Sequence, residues 1–217
     1  MDAVFFDMDG VLVDSEEQWR KTEVPIFRKM IPSWTERDQK RLVGMGDKNI
    51  YKLLVSEYGL TLSPREYLSI CEKAADDIYL KRVSRTEGFP ELIAELRGRG
   101  VHVGLVSSSS WRTIRMVLDR FDLGPLFASV VSADDVGGEG KPSPAIYLHA
   151  AGLAGARPAR CVAIEDSVNG VTAAKRAGMA CIGYRNGANH DQDLSETDME
   201  VSSFAELSWA RMKGLLR

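Results

Sequence analysis

Short apolar runs, each closed by a turn signal and followed by a helical pattern, recur along this 217-residue chain and constrain its fold more than any other feature. The runs cover 3–6, 101–106, 129–132, 160–164 and 180–184. "VHVGLVSS" and "RCVAIED" are apolar at consecutive positions, where a strand with one wet face would alternate, so these strands are covered on both sides. The helical patterns between the runs, "PELIAELRGRG", "SWRTIRMVLDRFDLG", "SPAIYLHAAGLAG" and "SVNGVTAAKRAGM", have the length of crossover helices. Strand and helix in alternation predict right-handed βαβ units and a doubly wound parallel α/β sheet.

One stretch breaks the alternation. Residues 15–86 hold the helical patterns "SEEQWRKTEVPIFRKM", "GDKNIYKLLVSEYG" and "SPREYLSICEKAADDIYLKRV" and no convincing strand. A patterned block of roughly 70 residues is too long for a loop. An inserted all-helical cap subdomain is expected over 15–86, with the α/β core built from 1–14 and 87–217 and hinges near Asp14 and Glu87-Gly88.

Ligands of a parallel α/β sheet sit outside the carboxyl ends of the strands, so the residues ending each run are the candidates. The first run ends in Asp7 and continues through Asp9 and Gly10; the second ends in Ser107, with Ser108 and Ser109 just before a helix start; the third leads to Lys141; the fourth ends in Glu165-Asp166. Carboxylates gathered on one rim repel each other, and a hard divalent cation with oxygen ligands, Mg²⁺ by preference, relieves the repulsion. A carboxylate nucleophile, a second acid, an ammonium and a hydroxyl beside helix N–H groups together suit phosphoryl transfer through an aspartyl-phosphate. In that chemistry Asp7 attacks, Asp9 serves as general acid and then general base, and Lys141 neutralises charge. Gly10 lets the backbone turn sharply past the strand and leaves room for a phosphate.

"DMDGVLVDS" at 7–15, "VGLVSSSS" at 103–110, "GKPSP" at 140–144 and "AIEDSVNG" at 163–170 resemble, in order and spacing, the four motifs of the haloacid dehalogenase superfamily. The helical insertion resembles that superfamily's cap. The resemblance implies Asp7 as nucleophile and metal ligand, and Asp9 as acid/base with its carbonyl on the metal. It implies Ser107 as the phosphate-binding hydroxyl, Lys141 as the bridge between nucleophile and phosphate, Asp166 as an acidic Mg²⁺ ligand and Glu165 as its companion. Within the superfamily the chain is similar to the group of β-phosphoglucomutases and sugar-phosphate phosphatases. The mutases carry histidine and arginine where this chain has Trp19 and Asp47, and an acid there repels a second phosphate. Substrate contacts are expected from Gly10, Ser108, Ser109, Glu16, Trp19 and Asn169. The expected activity is hydrolysis of a small phosphorylated metabolite, a sugar or polyol phosphate; the alternatives are a phosphomutase, a 2-haloacid dehalogenase and a phosphate-binding module without catalysis.

Composition removes other classes. Net charge is -3 and the 28 basic residues are scattered, so neither nucleic acid nor an anionic membrane is an expected partner. The three cysteines have no C-x-x-C spacing, which disfavours a zinc site or a disulfide framework and suits a reducing compartment. With no leader-like segment at the start and no apolar run near ~18 residues, a cytoplasmic location is expected. No heptad seam is visible, and a monomer is expected. "GGEGK" is not a nucleotide-binding loop, because Asp135 and Pro142 stand where glycine and Ser/Thr are needed. Lys48, Asn49, His102, His149 and His190 receive no role.

Overall fold

The computed structural model describes residues 1–216. Strands β1 (Ala3–Phe6), β2 (His102–Ser107), β3 (Ser129–Ser132), β4 (Cys161–Glu165), β5 (Ala180–Tyr184) and β6 (Met199–Val201) form one sheet in the order β3-β2-β1-β4-β5-β6, with every neighbouring pair parallel. Strand order reverses between β1 and β4, the position where a doubly wound sheet opens a crevice. Register sets its floor: Phe6 lies beside Leu105 and Ile164, so Asp7, Val106 and Glu165 emerge at one level.

Between β1 and β2 the chain is helical: α1 (Ser15–Met30), α2 (Glu36–Lys40), α3 (Asp47–Tyr58), α4 (Pro64–Asp77) and a π turn over Ile78–Arg82. α5 (Phe89–Gly98) then leads into β2, and α6 (Trp111–Phe121), α7 (Ala145–Leu153) and α8 (Val168–Arg176) make the later crossovers. The short α9 (Trp209–Lys213) lies near the end of the chain. Alternate residues of β1 serve opposite faces. Val4 and Phe6 join Leu92, Ile93, Ile114 and Val117 of α5 and α6, while Ala3 and Phe5 join Ile146, Ala150, Val171 and Ala174 of α7 and α8. This two-sided burial is why the strands read as continuous apolar runs.

The helical segment has its own apolar cluster of Phe27, Trp34, Leu42, Leu54 and Tyr67, yet Ile78, Tyr79 and Val83 at its end pack into the sheet's core. Local signals mark its helices. Ser63 caps α4 in a reciprocal box with Glu66, and Pro64 occupies the first turn. The chain passes between sheet and helices at two adjacent strands of backbone: Asp14 N–H donates to Ser84 O at 3.1 Å, the Asp14 carboxylate accepts from Ser84 N–H, and Val13 bridges Arg85 antiparallel. The second passage therefore lies at 84–86, slightly before the expected Glu87-Gly88. β2 and β4 each run one residue later than the sequence reading, and β6 and α2, of three and five residues, were too short to leave a periodic signal. Among the described residues no helix is long and apolar enough to cross a membrane.

Candidate active site

Asp7 follows β1 and is 3% exposed. Its Oδ1 accepts from Met8 N–H at 2.7 Å and from Lys141 Nζ at 2.7 Å. The same ammonium lies 2.7 Å from Glu165 Oε1 and donates to Val106 O at 3.2 Å, so one buried cation ties the ends of β1, β2 and β4 together. Tyr147 OH also donates to Glu165 Oε1. Burial alone would depress the Lys141 ammonium, but Asp7 and Glu165 overcome it and keep it charged.

One cation does not balance three acids. Asp7, Glu165 and Asp166 bring carboxylate oxygens within 4.8 Å of one another, all buried. Burial, and then Glu165 repulsion, push the Asp7 carboxyl up to about 7 against the pull of Lys141. Asp166 is raised well above the usual range by burial, then by Glu16 and Asp7. Asp166 Oδ2 accepts from Asn186 Nδ2 at 2.9 Å, while Glu165 Oε2 is buried with no partner. An all-oxygen donor set in which Asp7 and Asp166 resist ionisation and Glu165 retains an orphaned oxygen fits a hard divalent cation.

Asp9 stands above this floor, half-buried, with three hydroxyls on its carboxylate. Ser15 Oγ donates to Oδ1 at 2.6 Å, Tyr79 OH donates to the same oxygen, and Ser109 Oγ donates to Oδ2 at 3.0 Å. Trp19 Nε1 in turn donates to Tyr79 OH at 2.8 Å. Burial, and next the charge of Asp7, raise the Asp9 carboxyl despite those hydrogen bonds.

A cavity opens from this floor toward the helices. Asp7, Asp9, Glu16, Trp19, Ser108, Ser109 and Lys141 line it, together with Glu23, Asp47 and Tyr79. Three expected contacts are placed differently. Gly10 (φ +71°) leaves its side-chain position to the Asp166 carboxylate, whose Oδ2 lies 1.9 Å from where a Cβ would be, so the space admits a neighbouring acid and not a phosphate. Asn169 donates to Arg41 O at 3.2 Å and Val43 O at 2.7 Å, tying the start of α8 to the segment before α3 instead of lining the cavity. Ser107 is fully buried and accepts from Ser109 N–H at 3.1 Å, while Ser108 and Ser109 face the cavity. Ser110 is the cap of α6, accepting from Thr113 N–H. The first N–H of α6, on Trp111, is taken by Asp134 at 2.9 Å.

Sequence reasoning missed Ser15, Tyr79, Glu23 and Asn186. Tyr79 lies on an ordinary helical pattern, and only folding carries it 70 positions back to Asp9. Lys48 and Asn49, given no role, donate to Gly137 O and Gly140 O of the loop that delivers Lys141.

A parallel sheet with an acid closing its first strand, a rim lysine and paired acids at the end of the fourth suits a hydrolase of one lineage: the chain belongs to the haloacid dehalogenase-like hydrolase family, whose model matches residues 1–178. It is 30% identical over 215 residues to hexitol phosphatase B of Escherichia coli, covering 95% of this chain and 94% of that one. It is 28% identical over 221 residues to β-phosphoglucomutase of Bacillus subtilis, covering 96% and 92%. Its fold matches CbbY from Rhodobacter sphaeroides, solved in complex with phosphate, at a TM-score of 0.80 and 26% identity over 98% and 99% of the two chains.

Proposed function

We propose that this enzyme is a Mg²⁺-dependent phosphatase that hydrolyses a small phosphorylated metabolite, a sugar or polyol phosphate, through an aspartyl-phosphate on Asp7. The observation that carries the reading is the position of Asp9 over the Asp7–Lys141–Glu165 floor. Two carboxylates with different surroundings face one cavity, one held by an ammonium and the other by hydroxyls. The relatedness to a hexitol phosphatase and a phosphate-bound neighbour supports the same chemistry.

An Asp7 oxygen forms a bond to phosphorus as the ester P–O bond breaks, and Asp9 gives its proton to the departing alkoxide. Water then attacks phosphorus, passes a proton back to Asp9, and releases inorganic phosphate with Asp7 restored. Lys141 holds Asp7 in place and offsets charge on the phosphoryl oxygens, aided by Ser108 and Ser109 on the cavity wall. Asp7 and Asp166 would hold Mg²⁺, each through the oxygen not engaged by a protein donor, with the Asp9 carbonyl and Glu165 beside them. Bound there, the ion would act as a Lewis acid on the phosphoryl group. Residues 15–86 act as a cap whose closure excludes bulk water.

Asp47 argues against the mutase reading, because a bisphosphate would place its second phosphate toward acids. The test is phosphate release from hexose, pentose, polyol, glycolate and nucleoside phosphates with Mg²⁺. Turnover of at least one ester, lost with EDTA and in Asp7→Asn, is the expected result. No release from any ester, or conversion of β-glucose 1-phosphate to its isomer at a rate exceeding hydrolysis, overturns the reading.

A further inference from the structure

The loop that follows β5 locks the carboxylate of Asp166. Asn186 Nδ2 donates to Asp166 Oδ2 and to Gly10 O, both at 2.9 Å, while its Oδ1 accepts from Ala188 N–H at 2.9 Å and from Asn189 N–H at 3.0 Å. Both amide hydrogens and both lone pairs are spent, so the orientation of this amide is fixed. Asn189, 3% exposed, backs it: Nδ2 donates to Asp166 O at 2.7 Å and to Tyr184 O at 2.8 Å, and Oδ1 accepts from Asn186 N–H at 3.2 Å. Gly10 closes the remaining side, because the place a Cβ would take there lies 1.9 Å from Asp166 Oδ2 and 2.8 Å from Asn186 Nδ2.

That lock decides what is left for an ion. Among the described residues no donor reaches Asp166 Oδ1, and the same division holds at the other two acids of the cluster. Asp7 gives Oδ1 to Met8 N–H and Lys141 Nζ, Glu165 gives Oε1 to Lys141 Nζ and Tyr147 OH, and no donor among the described residues reaches Asp7 Oδ2 or Glu165 Oε2. Each acid therefore offers one oxygen, and none is free to chelate with two. At Asp7 and Glu165 a buried ammonium enforces this; at Asp166 a neutral amide does. Mg²⁺, small and strict in its octahedral geometry, is served by single carboxylate oxygens and water, whereas the larger Ca²⁺ takes more oxygens and gains from carboxylates that ligate through both.

We infer that Asn186 is a positioning residue for the metal: by occupying Asp166 Oδ2 it confines this acid to ligation through one oxygen and so favours Mg²⁺ over Ca²⁺. The inference rests on the Mg²⁺-dependent phosphatase reading. Removing the amide takes the donor from Oδ2 and opens space into which the carboxylate can turn, which weakens its hold on the smaller ion and suits the larger one.

The experiment follows the rise in Tm of the full chain as MgCl₂ or CaCl₂ is added to EDTA-treated protein, and takes the two dissociation constants from the titrations. Wild type is compared with Asn186→Ala and Asn186→Ser, which both remove the amide, and with Asn189→Ala, which loosens the same loop and leaves the Asn186 donor in place. The expected result is a wild-type preference for Mg²⁺ of at least about tenfold, cut at least about fivefold in both Asn186 variants through a Mg²⁺ constant weakened about tenfold. Asn189→Ala should lower Tm with and without metal and keep the preference. The ratio is taken within each variant, so a general loss of stability cancels. A wild type that binds Ca²⁺ as tightly as Mg²⁺, or Asn186 variants whose ratio matches the wild type, overturns the inference. An equal loss of preference in Asn189→Ala overturns the assignment to Asn186. p-Nitrophenyl phosphate hydrolysis keeps the two readings apart: turnover that persists in EDTA, with no Tm response to Mg²⁺, removes the metal and this inference and leaves a phosphatase standing.

Discussion

Two sets of acids, one at the sheet rim and one on the helical wall of the cavity, are stabilised in opposite ways. Asp7, Glu165 and Asp166 at the sheet rim are buried around Lys141, with room for a divalent ion among them. Among the described residues Glu16, Glu23 and Asp47 on the helical side are in no ion pair, and of the three only Glu23 is reached by a neutral donor, Gln39. The rim answers the repulsion among its acids with one internal cation and a donor set that fits a divalent ion. The helical side is charged only at a cost, and a ligand that supplies donors or positive charge relieves it.

Breaking the rim has the largest effects. Asp7→Asn removes the proposed attacking oxygen and should lower turnover at least about a thousandfold with the fold intact, read by phosphate release beside circular dichroism. Lys141→Met leaves Asp7 and Glu165 buried with no counter-charge and should cost about 3–5 kcal/mol in urea unfolding. Saturating Mg²⁺ should stabilise the wild type by about 2–3 kcal/mol at a hundredfold excess over its dissociation constant, visible as a raised Tm that EDTA reverses. Asp166→Asn should lose most of that gain.

Between the two sets, Tyr79→Phe removes one donor from Asp9 and the acceptor of Trp19, and should lower kcat/KM about tenfold. That donor favours the ionised carboxylate, so its loss raises the Asp9 pKa and moves the alkaline limb of the pH–rate profile to higher pH. An unshifted limb would separate Tyr79 from Asp9.

The smallest effect comes from the helical side and has the opposite sign. Folded Glu23 titrates near 7 instead of 4.5, chiefly through burial. Between those values the folded protein keeps a proton that the unfolded chain has released, so this residue's contribution to stability falls as pH rises through that window. Glu23→Gln keeps an acceptor for Gln39 and should stabilise the protein by about 1 kcal/mol at pH 8, with no gain at pH 4, measured by denaturant titration at both. An equal gain at both values would detach the effect from the ionisation of Glu23.

How much of this was legible follows from how each feature is encoded. Apolar runs such as 161–165 announce strands because both faces are covered, and the acids that end them stand out against that background. Strand ends in a parallel sheet share one rim, so Asp7, Lys141 and Asp166 could be gathered from topology alone. Which way a side chain turns at that rim is not periodic. Gly10 admits Asp166, Asn169 turns to the backbone before α3, and Ser107 faces inward, all outcomes of local packing. Tyr79 and Glu23 sit on amphipathic helices where the pattern predicts burial equally for a core residue and for a cavity wall.

Under the proposed closure of residues 15–86, the paired backbone passages through Val13, Asp14, Ser84 and Arg85 would act as a single axle set within a few residues of Asp9. Rotation about such an axle would produce little travel near the pin and more with distance along the helices.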